Sequence, residues 1–199
     1  MILSALCALR RWAEASRNLE LTFLFCLVGM VVGPLLDVLA ARKEKVSPTA
    51  ILGRGNLLVT TLPFGVRVAF WLTNLPYYLL AARLADEGVS AIHCIAVAAI
   101  AVVSTCFHGA VLFGASLPAG TVPRLMLLDV VAANGYGLSL MALHGVGRIA
   151  RLFAVPVCVL SVSAVLKRRQ QPHAYAALHG AWHLLSAAAM GTALLGEPS

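Results

Sequence analysis

The sequence predicts an all-α integral membrane protein, a helical bundle, and three observations lead to that fold class. The chain of 199 residues is 60% hydrophobic and only 12% charged, whereas soluble domains are about half apolar and about a quarter charged. A globule of this length cannot bury so much apolar surface. The apolar residues form runs close to the roughly 20 residues that a helix needs to cross a bilayer. Short connections join these runs, so helices adjacent in sequence should pack as antiparallel neighbours.

Six apolar runs are long enough to count as spans of one multipass domain that covers residues 1–199. They extend over about residues 19–40, 57–82, 89–113, 122–143, 147–166 and 174–195. Residues 1–18 have an apolar stripe with arginines outside it, which predicts an interfacial helix before the first span. A seventh span, or a membrane-protein partner that completes a seven-helix arrangement, stays open.

The net charge of +7 indicates membrane lipids as partners and no nucleic acid. The basic residues form short clusters between apolar runs, without the interleaved aromatic residues of a nucleic-acid surface. When every Lys and Arg except the intramembrane Arg67 is assigned to its nearer membrane surface, the side of loops 41–56, 114–121 and 167–173 receives eight and the opposite side receives six. The positive-inside rule therefore predicts that these three loops are cytosolic. The identity of the membrane stays open.

Polar residues inside the apolar runs are the candidate functional residues, because an ionisable side chain costs about 2.5–3.5 kcal/mol or more at the centre of a membrane. The set comprises Asp37, Arg67, Ser104, His108, Asp129, His179 and His183. All of them except Asp37 and Arg67 lie roughly 8–14 Å below the same membrane surface, at the rise of an α-helix. This common depth predicts that they converge. For Arg67 we expect a structural ion pair with Asp37 or Asp129, or a contact with a lipid phosphate.

His179 and His183 stand four residues apart, so they share one helix face. This spacing allows two imidazoles to hold one metal ion, as in helical zinc sites. A third imidazole from His108 would complete a three-histidine set with an open position for water. Zinc is then the cofactor, Asp129 is a general base or orients a ligand, and Ser104 hydrogen-bonds the substrate carbonyl or the oxyanion.

Two other interpretations of the same residues stay open. Buried His, Ser and Asp side chains also hydrogen-bond between transmembrane helices as structural contacts, without any cofactor. They can equally form a proton relay or contact a substrate. The open functions are therefore a zinc-dependent membrane hydrolase, a non-catalytic membrane scaffold or accessory protein, and a small transporter that uses intramembrane His, Asp and Arg.

The ordered set Ser104-x-x-x-His108, Asp129 and His179-x-x-x-His183 resembles the CREST superfamily of membrane hydrolases, which includes alkaline ceramidases, adiponectin-receptor-type proteins and the myomaker branch. The stretch LMLLDVVAANGYGLSLMAL (125–143) is similar to the Asp-bearing helix of the myomaker branch, and HGAWHLL (179–185) is similar to its last helix. The resemblance covers motif positions in about residues 100–195.

The resemblance implies a specific chemistry for these positions. It implies that His108, His179 and His183 are zinc ligands, that Ser104 and Asp129 are catalytic or support the ligands, and that a lipid amide or ester is hydrolysed. The family has seven spans, with several helices between the Asp helix and the last helix. Here only one predicted span fits between Asp129 and His179.

Overall fold

The computed structural model describes residues 59–113, 118 and 121–196. These residues form helices without any strand, which confirms the all-α prediction for this part of the chain. The helices are α1 (Phe64–Leu72), α2 (Leu75–Asp86), α3 (Ala91–Phe113), α4 (Thr121–His144), α5 (Val146–Arg168) and α6 (Pro172–Leu195). The predicted interfacial helix at 1–18, the span at 19–40, Asp37, loop 41–56 and most of loop 114–121 lie outside the described residues.

Three helices are long and apolar enough to cross a membrane, which is consistent with an integral membrane protein. They are α3, α4 and α5, with 23, 24 and 23 residues, and they correspond to the predicted spans 89–113, 122–143 and 147–166. Pro156 lies inside α5 without ending it. Helix α6 has 24 residues and matches the predicted span 174–195, but its histidines lower its mean hydropathy. The count of six spans is not confirmed.

Within the predicted span 57–82, the chain breaks at Thr73 and Asn74 into two helices, α1 and α2. Pro76 explains the break. Proline lacks an N–H for the carbonyl four residues earlier and its ring clashes with that carbonyl, which destabilises a helix that continues from Leu72. Pro76 instead lies in the first turn of α2, where its missing N–H has no helical partner to lose. Asn74 is 1% exposed, so the break is buried in the bundle.

Helix packing places the ends of several helices at one edge of the bundle. Helix α3 packs against α2 and α4, α5 packs against α6, and α6 also contacts α1 and α2. Because the connections are short, neighbouring helices are antiparallel. Helices α3 and α5 end at one edge of the bundle, and α4 and α6 begin there. We call this edge the loop edge. The start of α1 lies there too, since Arg67 reaches the last turn of α3.

Two clusters of buried apolar residues stabilise the bundle, and a polar layer lies between them. The larger cluster contains residues from each helix between α2 and α6 inclusive. The smaller cluster lies at the loop edge. Along α3, Ser104 and His108 fall between these clusters. Along α6, His179 and His183 do the same. The smaller cluster consists of Val59, Leu62, Phe70, Leu112, Tyr175 and Ala176. The fold therefore brings the polar residues of two helices into one layer.

Candidate metal centre

The structure brings His108, His179 and His183 together, with one nitrogen from each ring within 4.8 Å of the other two. Their ring centroids are 4.9 to 5.3 Å apart. His108 is 2% and His183 is 3% exposed. In the described part of the chain, no other group of three His, Cys, Asp or Glu residues is arranged this closely. The cluster joins α3 to α6 inside the bundle.

Thr73, at the break between α1 and α2, fixes the ring of His183. Its Oγ1 lies 2.8 Å from His183 Nδ1 and donates to the carbonyl oxygen of Phe70 at 2.6 Å. A hydroxyl has one proton and a carbonyl can only accept, so Thr73 must accept from His183 Nδ1–H. The lone pair of His183 is then on Nε2, which is the state that a metal ligand needs.

Ser163, on α5, fixes the ring of His179 by the same logic. Its Oγ donates to the carbonyl oxygen of Leu160 at 2.7 Å and lies 3.4 Å from His179 Nδ1. The serine proton is thereby committed, so the hydroxyl accepts from His179 Nδ1–H. His179 therefore also has its lone pair on Nε2. Two histidines of one helix are held in the same tautomer by hydroxyls from two other segments.

His108 contributes a buried nitrogen that lacks a partner. Its Nε2 is buried and has no hydrogen-bond partner among the described residues. Unpartnered buried polar atoms are rare in proteins, and a bound water or ion is a common reason for one. Together with the two Nε2 lone pairs of His179 and His183, this nitrogen forms a donor set that fits a metal ion held by three imidazoles.

Phe70 forms an apolar wall against all three histidines. Its ring centroid lies 5.1 Å from that of His108, 5.7 Å from that of His179 and 6.2 Å from that of His183. The side chain is 4% exposed. It therefore excludes water from this side of the cluster, and electrostatic interactions are stronger in such an environment. Nothing in the sequence singled out Phe70, because an aromatic residue in an apolar run is ordinary.

The structure places Asp129 and Ser104 beside the histidines but outside their immediate group. The Ser104 hydroxyl is the side-chain partner of the Asp129 carboxyl, and Ser104 is 4% exposed. The Asp129 carboxyl also acts electrostatically on the hydroxyl of Tyr175, whose ring contacts that of His179 with centroids 5.2 Å apart. Asp129 of α4 therefore approaches α3 at Ser104, one helical turn from His108.

The expected ion pair between Arg67 and Asp129 is wrong. Arg67 Nη1 instead donates to the carbonyl oxygen of Leu112 at 3.0 Å, and its guanidinium lies 5.8 Å from the Phe64 ring centroid and 5.7 Å from that of Phe113. The last carbonyls of a helix have no intrahelical donor, so the end of α3 offers Arg67 a nearer acceptor. The alternative partner, Asp37, lies outside the described residues.

Sequence reasoning missed Thr73, Ser163 and Gly180. The two hydroxyl residues meet their histidines at separations of 110 and 16 residues, which no local pattern reveals. Gly180 follows a candidate ligand, and a Cβ added there would lie 2.9 Å from Thr73 Cγ2. The glycine therefore allows the α1–α2 break to approach α6. A small residue at this position was a usable signal, since such residues mark close helix contacts in membranes.

No family model, no curated protein and no solved structure matches the chain. The class of protein therefore follows from the chain's own geometry. The described residues form a helical bundle with three helices of membrane-spanning length and a buried cluster of three histidines.

Gly180→Ala should destabilise the protein because its methyl group would collide with Thr73. Overpacking of this kind costs about 1–3 kcal/mol. The matched control is Gly137→Ala in α4, where an added Cβ meets nothing within 4 Å, so the change should be neutral or stabilising by up to about 1 kcal/mol. The free energy of unfolding in detergent micelles measures the effect of each alanine substitution. Adding Thr73→Ser, which removes only the Cγ2 methyl, should rescue Gly180→Ala. Equal stability of the two alanine variants would contradict the contact.

Proposed function

We propose that this chain is a zinc-dependent membrane hydrolase that cleaves a lipid amide or ester. The observation that carries the proposal is the shared arrangement of His179 and His183, whose Nδ1–H groups are both engaged by hydroxyls while His108 has an unpartnered nitrogen. Histidines that only join helices would be expected to use their buried ring nitrogens in hydrogen bonds. The resemblance to the CREST superfamily supports the same proposal.

Three neutral imidazoles are the donor set that suits zinc with an open fourth position. Zinc in such a site supplies a bound water with a pKa near 7 and polarises a substrate carbonyl. His108, His179 and His183 would hold the ion, and Thr73 and Ser163 would keep two of these rings oriented. The Phe70 ring would keep bulk water away from that side of the site.

The remaining polar residues have assignable roles in hydrolysis. The Asp129 carboxylate accepts the proton that water loses on attacking the carbonyl carbon, and returns it to the leaving amine or alcohol. The Ser104 hydroxyl orients that carboxylate or donates a hydrogen bond to the carbonyl oxygen as negative charge develops there. The proximity of the Asp129 carboxyl to Ser104, which is buried one helical turn from His108, supports these roles.

The depth of the polar layer favours a lipid substrate. His108 lies five residues before the end of α3, which corresponds to roughly 8 Å of helix. The amide or ester linkages of membrane lipids lie just below their head groups, so they would meet the layer without leaving the bilayer. A water-soluble substrate would have to enter the apolar cluster at the loop edge instead.

We further propose that the chain crosses the membrane six times. In this arrangement α1 and α2 form one broken span, α6 is another, and residues 19–40 supply the first. Broken helices occur in membranes where the surrounding protein satisfies the freed backbone groups, and the buried Asn74 side chain donates to the carbonyl oxygen of Trp71 at 3.0 Å. Loops 41–56, 114–121 and 167–173 are then cytosolic.

The purified full-length protein should contain about one zinc ion per chain. His108→Ala, His179→Ala and His183→Ala should each lose it, because two imidazoles leave an incomplete donor set. Elemental analysis after purification without chelators measures the content, and His93→Ala is the matched control. His93 lies at the opposite end of α3, where its Nδ1 is 2.8 Å from the Tyr136 hydroxyl.

Helix content and gel-filtration elution of each variant show whether it is folded. Zinc lost from the three cluster variants but kept by His93→Ala supports the proposal. A folded wild-type protein that contains no zinc, even after incubation with zinc ions, would reject the hydrolase and favour a structural role for the histidines.

Asp129→Asn should lower lipid hydrolysis by about 10²–10⁴-fold without loss of zinc, since it removes the proton acceptor but no ligand. Ser104→Ala should lower it by about 10²–10³-fold if its hydrogen bond stabilises the developing oxyanion. The release of fatty acid from lipids in mixed micelles measures kcat for each variant, alongside its zinc content.

The control for these two variants is Ser139→Ala. Ser139 is exposed on α4 and donates to the carbonyl oxygen of Gly135 at 3.0 Å. Hydrolysis that is as fast in Asp129→Asn as in Ser139→Ala would contradict the role of Asp129.

A further inference from the structure

Arg67 presents unfilled hydrogen-bond donors at the loop edge. Its guanidinium has five N–H donors, and within the described residues only Nη1 finds an acceptor, the carbonyl oxygen of Leu112. Its Nε is buried and has no hydrogen-bond partner in the described part of the chain. The rings of Phe64 and Phe113 hold the group in place. A fixed guanidinium with open donors is suited to phosphate, whose oxygens it binds in a bidentate way.

Lys167 adds a second cation near the same site. It lies in the last turn of α5, and its Nζ is 5.7 Å from the ring centroid of Tyr175. Leu112, which accepts from Arg67, and Tyr175 both belong to the smaller apolar cluster. Arg67 and Lys167 therefore both adjoin this cluster at the loop edge.

The charge balance of the loop edge also favours an anion. Among the described residues, Arg124, Arg168 and Arg169 lie at this edge as well, and the only carboxylate on this side is that of Asp129 in the polar layer. Asp86 and Glu87 lie at the end of α2, which is the opposite edge. The positive field of the loop edge attracts anionic head groups.

We propose that the site takes a phospholipid, and that Arg67 binds its phosphate while the amide or ester reaches the histidine layer, with Lys167 adding positive charge at the same edge. This inference rests on the proposed hydrolase function. Leu112, which Arg67 contacts, lies one helical turn from His108, or about 6 Å along α3. A glycerol or sphingoid backbone is long enough to bridge this separation. A lipid without a phosphate would leave the donors of Arg67 unpaired.

Lipid retention by the full-length protein tests this inference without depending on catalysis. Native mass spectrometry compares two pairs of lipids with matched acyl chains: phosphatidic acid with diacylglycerol, and ceramide 1-phosphate with ceramide. The wild-type protein should retain a phosphorylated member in preference to its neutral partner. The glycerolipid pair and the sphingolipid pair show which backbone accompanies the phosphate.

Arg67→Ala should reduce the preference for the phosphorylated lipid by about 10- to 100-fold, the effect of losing hydrogen bonds to a charged group. Arg67→Lys should retain part of it, because the charge remains without the bidentate geometry. Arg124→Ala is the matched control, an exposed arginine of the same edge. Unchanged helix content and gel-filtration elution show that Arg67→Ala is folded.

For hydrolysis, Arg67→Ala should raise KM for the phosphorylated lipid and leave kcat nearly unchanged.

Two results would overturn the inference: a wild-type protein that does not discriminate within either pair, or an equal loss of preference in Arg67→Ala and Arg124→Ala. Both leave the hydrolase proposal standing. A preference that depends on Arg67 in a protein without zinc or hydrolysis supports the phosphate contact and rejects the hydrolase, so the two failures are distinguishable.

Discussion

The candidate site depends on the fact that a hydroxyl group has only one proton. Thr73 and Ser163 each donate that proton to a backbone carbonyl of their own segment, so each can only accept from the histidine beside it. This constraint fixes the Nδ1–H tautomer of His183 and His179 and leaves both Nε2 lone pairs available. The α1–α2 break, the glycine at position 180 and the packing of α5 on α6 all serve to bring these hydroxyls within reach.

The position of the histidine layer explains why its orientation has to be fixed. The layer lies between two apolar clusters, where unsatisfied polar groups are costly. Hydrogen bonds to hydroxyls outside the layer satisfy one nitrogen in the ring of His179 and one in that of His183. One nitrogen of each of the three histidine rings lies within 4.8 Å of the other two. The layer also lies about one to two helical turns below the positively charged loop edge, a depth that suits the lipid substrate that we propose.

The sequence predicted the long helices well, because a bilayer sets the length of an apolar run. It also indicated that His108, His179 and His183 share one depth, since depth follows from counting residues along straight helices. It did not reveal that the predicted span 57–82 breaks at Thr73. The contacts of Thr73, Ser163 and Arg67 were equally inaccessible. They depend on which helices pack together, and a single sequence with short loops does not determine that.

The affinity of the protein for zinc in Thr73→Val and Thr73→Ser tests the central claim most directly. Valine keeps the shape of threonine but cannot accept from His183 Nδ1–H, so the ring loses its orientation while all three proposed ligands remain. Loss of such a supporting contact typically weakens metal binding by about 10- to 100-fold. We expect this loss in Thr73→Val and near wild-type affinity in Thr73→Ser, measured by competition with a zinc chelator. Wild-type affinity in Thr73→Val would contradict the account.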